Sequence, residues 1–529
     1  MSEPFASGRH GGILVPLFSI PSSVSWGIGE IPDLMRFARW LHEAGQDFVQ
    51  LLPVTAIAEG ETSPYSALSA MAIDHVYIGL EEVQDFCDTG GERGLRPDLR
   101  DRLARLRASR CVEYSEVRDL KHQALDAAFE RFVAHHWERD TQRASELRSF
   151  IARERWWLDD YALFRALRKQ NRCQAWWEWD EGLRRRDPDA LAAARQAHAR
   201  DVLRQQYLQW MADSQWHDVR ASAGIGLFGD YPFMVSRDSA DVWARQDDFL
   251  HDGSVGTPPD AFSETGQDWG LPVYRWDEMA RNDFTWLRQR AERSASLYDG
   301  YRIDHLVGFY RTYVRPPDDT PFFTPATQAE QLALGERLMT IFKSSGPVII
   351  AEDLGVVPDF VRASLGRLGL PGYRVMRWER EWEEPGRPFR DPAEWPACSV
   401  ATSGTHDTEP LAEWWENAEQ EERREFLKVP ALAALRLPAD ARLTPALRDA
   451  ILHALIASGS RFVILPLGDV FGWPDRINTP ASVSDDNWRW RLPWPVDRLL
   501  NEPEARERAA FLRREVERTG RRPALRRSS

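Results

Sequence analysis

Three short apolar runs in this chain each deliver an acidic residue at their end. Gly300-Tyr-Arg-Ile303 leads to Asp304 and His305, and Val348-Ile-Ile-Ala351 leads to Glu352 and Asp353. Ser399-Val-Ala-Thr402 leads through a short polar turn to His406 and Asp407. A brief apolar run bounded by Gly or polar residues reads as a strand buried on both faces. A carboxylate at its end therefore lies where a buried sheet meets its loops. Several such strand ends converge on the rim of a (β/α)8 barrel, where catalysis is built. Three carboxylates meeting there point to glycoside chemistry, because cleaving an acetal needs one acid and one anionic nucleophile or base.

Each carboxylate carries its own expectation. Arg302 precedes Asp304 by two residues, so in a strand both side chains share a face. An arginine beside a carboxylate keeps it ionised, as a nucleophile requires; a structural Arg–Asp pair reads the same way. Glu352 ends the strongest apolar run, and burial raises a carboxyl pKa into the range of a general acid. Asp353 suits the cap of the helix that follows. Asp407, in Gly404-Thr-His-Asp-Thr408, can hold sugar hydroxyls, with His305 and His406 as further donors. Asp230 and Asp469 also end apolar runs, and hydroxyl binding and helix capping are both open for them. No H-x-H or HExxH pair appears, which sets metal chemistry aside.

The elements that must position these groups recur along the chain. Eight apolar runs stand out: Gly12–Phe18, Phe48–Leu52, Gly224–Asp230, Gly300–Asp304, Pro347–Ala351, Tyr373–Trp378, Ser399–Thr402 and Arg461–Pro466. The sixth is interrupted by Arg374 and Arg377. A helical pattern over 30–44 and others between most runs predict an α/β fold, a (β/α)8 TIM barrel. Residues 85–215, rich in Arg, Glu, Ala, Leu and Trp, predict a large helical insertion. Trp156, Trp157, Trp176 and Trp177 fall on helical patterns there and read as core. From 244 to 281 the chain is rich in Gly, Pro and Asp and reads as an irregular loop over the rim. Trp269 in that loop, and Tyr65 beyond the second run, are the better platforms for a sugar ring. The organisation expected is first barrel strands over 1–60, a mostly helical insertion over 61–220, the rest of the barrel over 221–500, and a C-terminal helix with a basic tail over 501–529.

Composition narrows the partners. A chain of 529 residues with 43% hydrophobic content can bury a large core. Its net charge of −14, with both signs interspersed, argues against a nucleic-acid partner. Four widely spaced cysteines without a CxxC pair fit a reducing cytoplasm and argue against a disulfide framework or zinc site. No secretory h-region is visible, and no stretch approaches the roughly 18 apolar residues of a membrane span.

Taken together and in order, these motifs resemble the 4-α-glucanotransferases (amylomaltases, or disproportionating enzymes). Arg302-Ile-Asp-His305, Ala351-Glu-Asp-Leu-Gly355 and Gly404-Thr-His-Asp407 carry the likeness. Ser63-Pro-Tyr65, Gly229-Asp230, Asp238–Trp243, Pro258-Pro-Asp260, Gly266-Gln267, Trp269-Gly270, Asn478 and Asn487–Trp490 extend it over nearly the whole chain. Thr408-Glu-Pro410 stands where Asn-Asp-Thr is frequent. The resemblance implies Asp304 as nucleophile, Glu352 as acid/base and Asp407 as transition-state stabiliser. It implies Arg302, His305, His406, Tyr65, Ser63, Asp230, Trp269 and Asn478 as substrate-binding residues. It further implies no cofactor, no metal, maltooligosaccharides and α-1,4-glucans as partners, and a cytoplasmic monomer or weak homodimer. Retention requires the Asp304 and Glu352 carboxyls about 5–5.5 Å apart. A retaining α-glucan hydrolase and a non-catalytic glucan-binding protein are the alternatives.

Overall fold

The apolar runs become strands of a closed barrel. The computed structural model describes residues 5, 7–259, 265–317, 320–480, 482 and 484–521. Within these the strands are β1 (His10–Leu14), β2 (Phe48–Gln50), β3 (Gly226–Tyr231), β4 (Phe249–Thr257), β5 (Gln267–Tyr274) and β6 (Gly300–Ile303). They continue as β7 (Thr312–Arg315), β8 (Phe322–Thr324), β9 (Val348–Ala351), β10 (Gly372–Val375), β11 (Ser399–Thr402) and β12 (Phe462–Pro466). Eight of them close in the order β1-β12-β11-β10-β9-β6-β3-β2, every pair parallel. The expected (β/α)8 barrel is thus the fold.

The barrel floor is filled by aromatic rings. Phe48 stacks on Phe228 at 4.2 Å between centroids, and Phe5 meets Phe228 edge-on at 5.0 Å. Glycines make the room: a Cβ on Gly12 would stand 2.3 Å from the Phe48 ring. The expected first strand is shorter than its apolar run. It ends at Leu14, Pro16 follows, and Leu17–Ser19 forms a 3-10 turn. The interrupted sixth run still forms β10, which stops before Met376. Arg377 lies beyond it, donating to the Ser403 carbonyl and standing over the Trp414 ring.

Between β2 and β3 the chain is an irregular stretch to residue 74 and then mostly helical. Its longest members are Tyr114–Phe132, Gln142–Gln170 and Ala199–Ser222. A buried ion pair ties this insertion to the barrel, Lys121 reaching Glu30 at 2.7 Å, and a second, Arg118 with Asp74 at 3.0 Å, braces the insertion internally. Trp157 and Trp176 are buried as expected, and Trp156 is half-buried. Trp177 departs from expectation: it lies on a single 3-10 turn, Trp176–Glu178, too short to hide both neighbours, and is 41% exposed.

The stretch over 244–281 is not the irregular loop its composition suggested. It holds β4 and β5, which join β7 and β8 in an antiparallel sheet of order β5-β4-β7-β8. Phe249, Val255, Val273 and Tyr274 are among its buried positions. Register shifts between Leu250 and Gly256 break the period of two that would have revealed it. Asp260 lies outside the described residues. At the C-terminus the helix Pro503–Thr519 ends at Gly520, and the basic tail over 522–529 lies outside the described residues. Among the described residues no helix is long and apolar enough to cross a membrane.

Candidate active site

Parallel strands carry the site's charges to one rim. Arg302 on β6 lies directly across from Asp230 on β3, and in register with Ile350 on β9. That adjacency is realised in the side chains. Arg302 donates through Nη1 to both Asp230 oxygens, at 2.9 and 2.8 Å, and through Nη2 to Asp304 Oδ1 at 2.7 Å. The same Nη2 is 4.0 Å from Glu352 Oε2. Arg302 is 5% exposed, so its charge acts in a medium that screens poorly. Burial alone would weaken that charge, but Asp230 and Asp304 outweigh it and hold Arg302 protonated. The sum of the two Nη2 distances bounds the gap between those oxygens of Asp304 and Glu352. The bound sits at the bottom edge of the roughly 6.5–9.5 Å spacing of inverting enzymes.

Glu352 follows β9 directly. Its Oε2 accepts the His305 N–H at 2.8 Å and its Oε1 the Leu354 N–H at 2.9 Å. Burial pushes its carboxyl up to about 7; Arg302 and the two N–H bonds pull it down, while the Asp304 charge adds to the rise. His305 presents its N–H because its backbone is left-handed, with φ of 43°. Its ring meets Trp269 edge-on at 4.8 Å, and burial lowers its pKa to about 4, so it is neutral near pH 7.

Asp407 is held in the opposite state. Desolvation works to raise its pKa, but His406 and Asn478 prevail and hold it at about 2. Asn478 donates to Oδ1 at 2.6 Å, and His406 Nε2 is 3.1 Å from Oδ2. Tyr65 links this pair to the first cluster. Its hydroxyl donates to Asp230 Oδ2 at 2.6 Å and lies 2.9 Å from His406 Nε2. The two rings stack at 5.4 Å and 15°. Ser63 serves the turn: its Oγ accepts the Tyr65 N–H at 3.3 Å.

The structure therefore brings together Asp304, Glu352, Asp407, Arg302, Asp230, Tyr65, His406 and Asn478, with His305 and Trp269 beside them. Trp269 lies on β5, half-buried, donating to Gln267 at 3.1 Å. One expectation changes, and of the two readings left open for Asp469 the structural one holds. Asp353 does not cap the next helix, whose cap position is Pro358. It is buried, accepts the Tyr373 N–H at 2.8 Å and pairs with Arg362 at 3.1 Å, so it braces β9 against β10. Asp469 is also buried, held by the Leu411 N–H at 2.7 Å and the Ser403 hydroxyl at 2.5 Å, and so is a structural group. Trp488 lies in the Asn487–Trp490 motif, but sequence reasoning gave it no role of its own. Its ring lies 5.8 Å from Tyr65 and 5.9 Å from His406, on a left-handed backbone that only the folded chain reveals. Among the described residues no group of three or more His, Cys, Asp or Glu is placed to hold a metal ion.

Acidic side chains raised on the carboxyl ends of barrel strands, one near neutrality and one strongly acidic, mark a barrel enzyme with a rim active site. Within that class the chain belongs to the 4-α-glucanotransferases, glycoside hydrolase family 77, whose family model matches residues 15–497. A 4-α-glucanotransferase of Chlamydia pneumoniae is 32% identical, with 93% of each chain covered. One of Thermus thermophilus is 33% identical, over 92% of this chain and 95% of that one. Among solved structures, the amylomaltase of Streptococcus agalactiae in complex with acarbose superposes with a TM-score of 0.81. It is 28% identical, over 97% of this chain and 100% of that one.

Proposed function

We propose that the chain moves segments of α-1,4-linked glucan onto the 4-hydroxyl of an acceptor glucose or glucan by a retaining double displacement. Glu352 protonates the glycosidic oxygen while Asp304 attacks the anomeric carbon; the bond to the leaving sugar breaks and a glycosyl-aspartate ester forms. Glu352, now ionised, takes the proton of the incoming 4-hydroxyl, whose oxygen attacks the same carbon and releases Asp304. Two inversions leave the linkage α. Asp407, ionised throughout, favours the oxocarbenium-like state that both steps cross.

The observation that carries this reading is the grip of Arg302 on Asp304 with Glu352 close behind. Arg302 holds Asp304 at 2.7 Å and stands 4.0 Å from Glu352, on which burial keeps a proton up to about pH 7. Their bounded separation admits the shorter spacing that retention uses. The same reading takes maltooligosaccharides and α-1,4-glucans as substrates, needs no cofactor, and places a monomer or weak homodimer in the cytoplasm without a nucleic-acid partner. Trp269, against His305 on the antiparallel sheet, supplies a wall on which an acceptor sugar can displace water.

Incubation of the pure protein with maltotriose tests this. Glucose and a ladder of longer maltooligosaccharides, absent with Asp304→Ala, is the expected result. Glucose and maltose alone, with rising reducing ends, would make the protein a hydrolase. No conversion would leave a glucan-binding protein.

A further inference from the structure

The two most exposed large apolar side chains among the described residues are Val356, at 70%, and Trp382, at 58%. Both follow barrel strands at the end where the acidic residues sit. Trp382 belongs to the segment between β10 and β11. β10 is hydrogen-bonded between β9 and β11, so this segment rises between the loops that carry Glu352 and Asp407.

The segment is an anchored finger. The Glu381 N–H donates to the Pro388 carbonyl and the Arg390 N–H to that of Glu379, each at 2.9 Å, and Arg380 bridges Phe389. At its base the Arg380 guanidinium lies 3.9 Å from the Phe389 ring centre and reaches Glu422 at 2.8 Å. Phe389 in turn packs edge-on against Phe426 at 4.9 Å. An exposed tryptophan on a built support is a different object from one on a frayed loop. The Trp382 indole is left open to solvent, with the guanidiniums of Arg380 and Arg387 both 5.9 Å from its centre.

We propose that Trp382 is an outlying glucan-binding position, distinct from the cleft. An α-1,4-glucan chain already held in the cleft lays the apolar face of a glucose ring on the indole, and Arg387 meets its hydroxyls. A pyranose presents C–H groups on one face and hydroxyls around its edge, which matches an aromatic plane flanked by a guanidinium donor. The inference rests on the glucan-transfer reading and deepens it: it makes chain length a determinant of affinity.

The test compares wild type, Trp382→Ala and Trp382→Phe on maltotriose and on amylose. In Trp382→Ala the KM for amylose rises about 3- to 10-fold, kcat is unchanged, and both constants for maltotriose stay as in wild type. Trp382→Phe recovers most of the amylose affinity. An unchanged amylose KM, or an equal loss on both substrates, overturns the proposal. Amylose binding is read separately by affinity electrophoresis in an Asp304→Asn background, with and without Trp382→Ala. If wild type fails to convert maltotriose, the transfer reading falls, while weaker binding on loss of Trp382 would still establish the glucan position.

Discussion

Arg302 holds Asp230 through both carboxylate oxygens with one nitrogen, at 2.9 and 2.8 Å, and keeps its other terminal nitrogen for Asp304. Because the two residues face each other in strand register, the barrel itself orients the guanidinium. Asp230 is buried, and Tyr65 closes its remaining side.

Asp230→Asn keeps the shape and removes one charge of a buried pair. Breaking such a pair costs about 3 kcal/mol, and here Asp304 retains part of the compensation. The account expects a lower Tm and a kcat on maltotriose reduced about 100-fold, because Arg302 no longer has a fixed orientation. Thermal unfolding and steady-state kinetics check it, and an unaltered kcat would contradict it.

Glu352 sets the pH dependence. Its carboxyl is raised from 4.5 to about 7, mainly by burial, so the folded protein holds that proton more tightly than the unfolded chain. Its ionisation therefore carries no folding cost below about 4.5, a growing cost between there and about 7, and a constant one above. Glu352→Gln should raise Tm relative to wild type above pH 7 and leave the difference small below 4.5. In wild type, kcat/KM for maltotriose should fall as pH rises through about 7, when the acid is lost. With a glycosyl fluoride donor, whose leaving group needs no proton, formation of the ester should show no such fall.

Asn478→Ala removes the amide that donates to Asp407 at 2.6 Å. That bond is among those holding Asp407 at about 2, so its loss lets the pKa climb toward the ordinary carboxylate value of about 3.9. The acid limb of the pH–rate profile should move upward by a fraction of a unit or more. At neutral pH kcat should drop about 10-fold as Asp407 loses its orientation. A profile that coincides with wild type would show that Asn478 does not tune Asp407.

Much of this was legible from residue types. The parallel strands bury both faces, so they read as apolar runs, and Asp304, Glu352 and Asp407 stand out because each breaks such a run at its end. The antiparallel sheet was not legible, because glycines and register shifts between Leu250 and Gly256 erase its alternation. Asp353 and Asp469 follow their runs just as Glu352 does, and only the partners around them separate a structural carboxylate from one facing the cleft. Trp488 approaches Tyr65 and His406 from far along the chain, on a backbone geometry that no local pattern announces.

The central claim is that Asp304 becomes covalently linked to sugar. Glu352→Gln incubated with α-maltotriosyl fluoride tests it by intact-mass and peptide mass spectrometry. The fluoride leaves without an acid, and the missing base stalls release. A maltotriosyl adduct on the peptide containing Asp304 is the predicted result. No adduct on Asp304, with a β-anomeric product released instead, would contradict it and point to a single displacement by water.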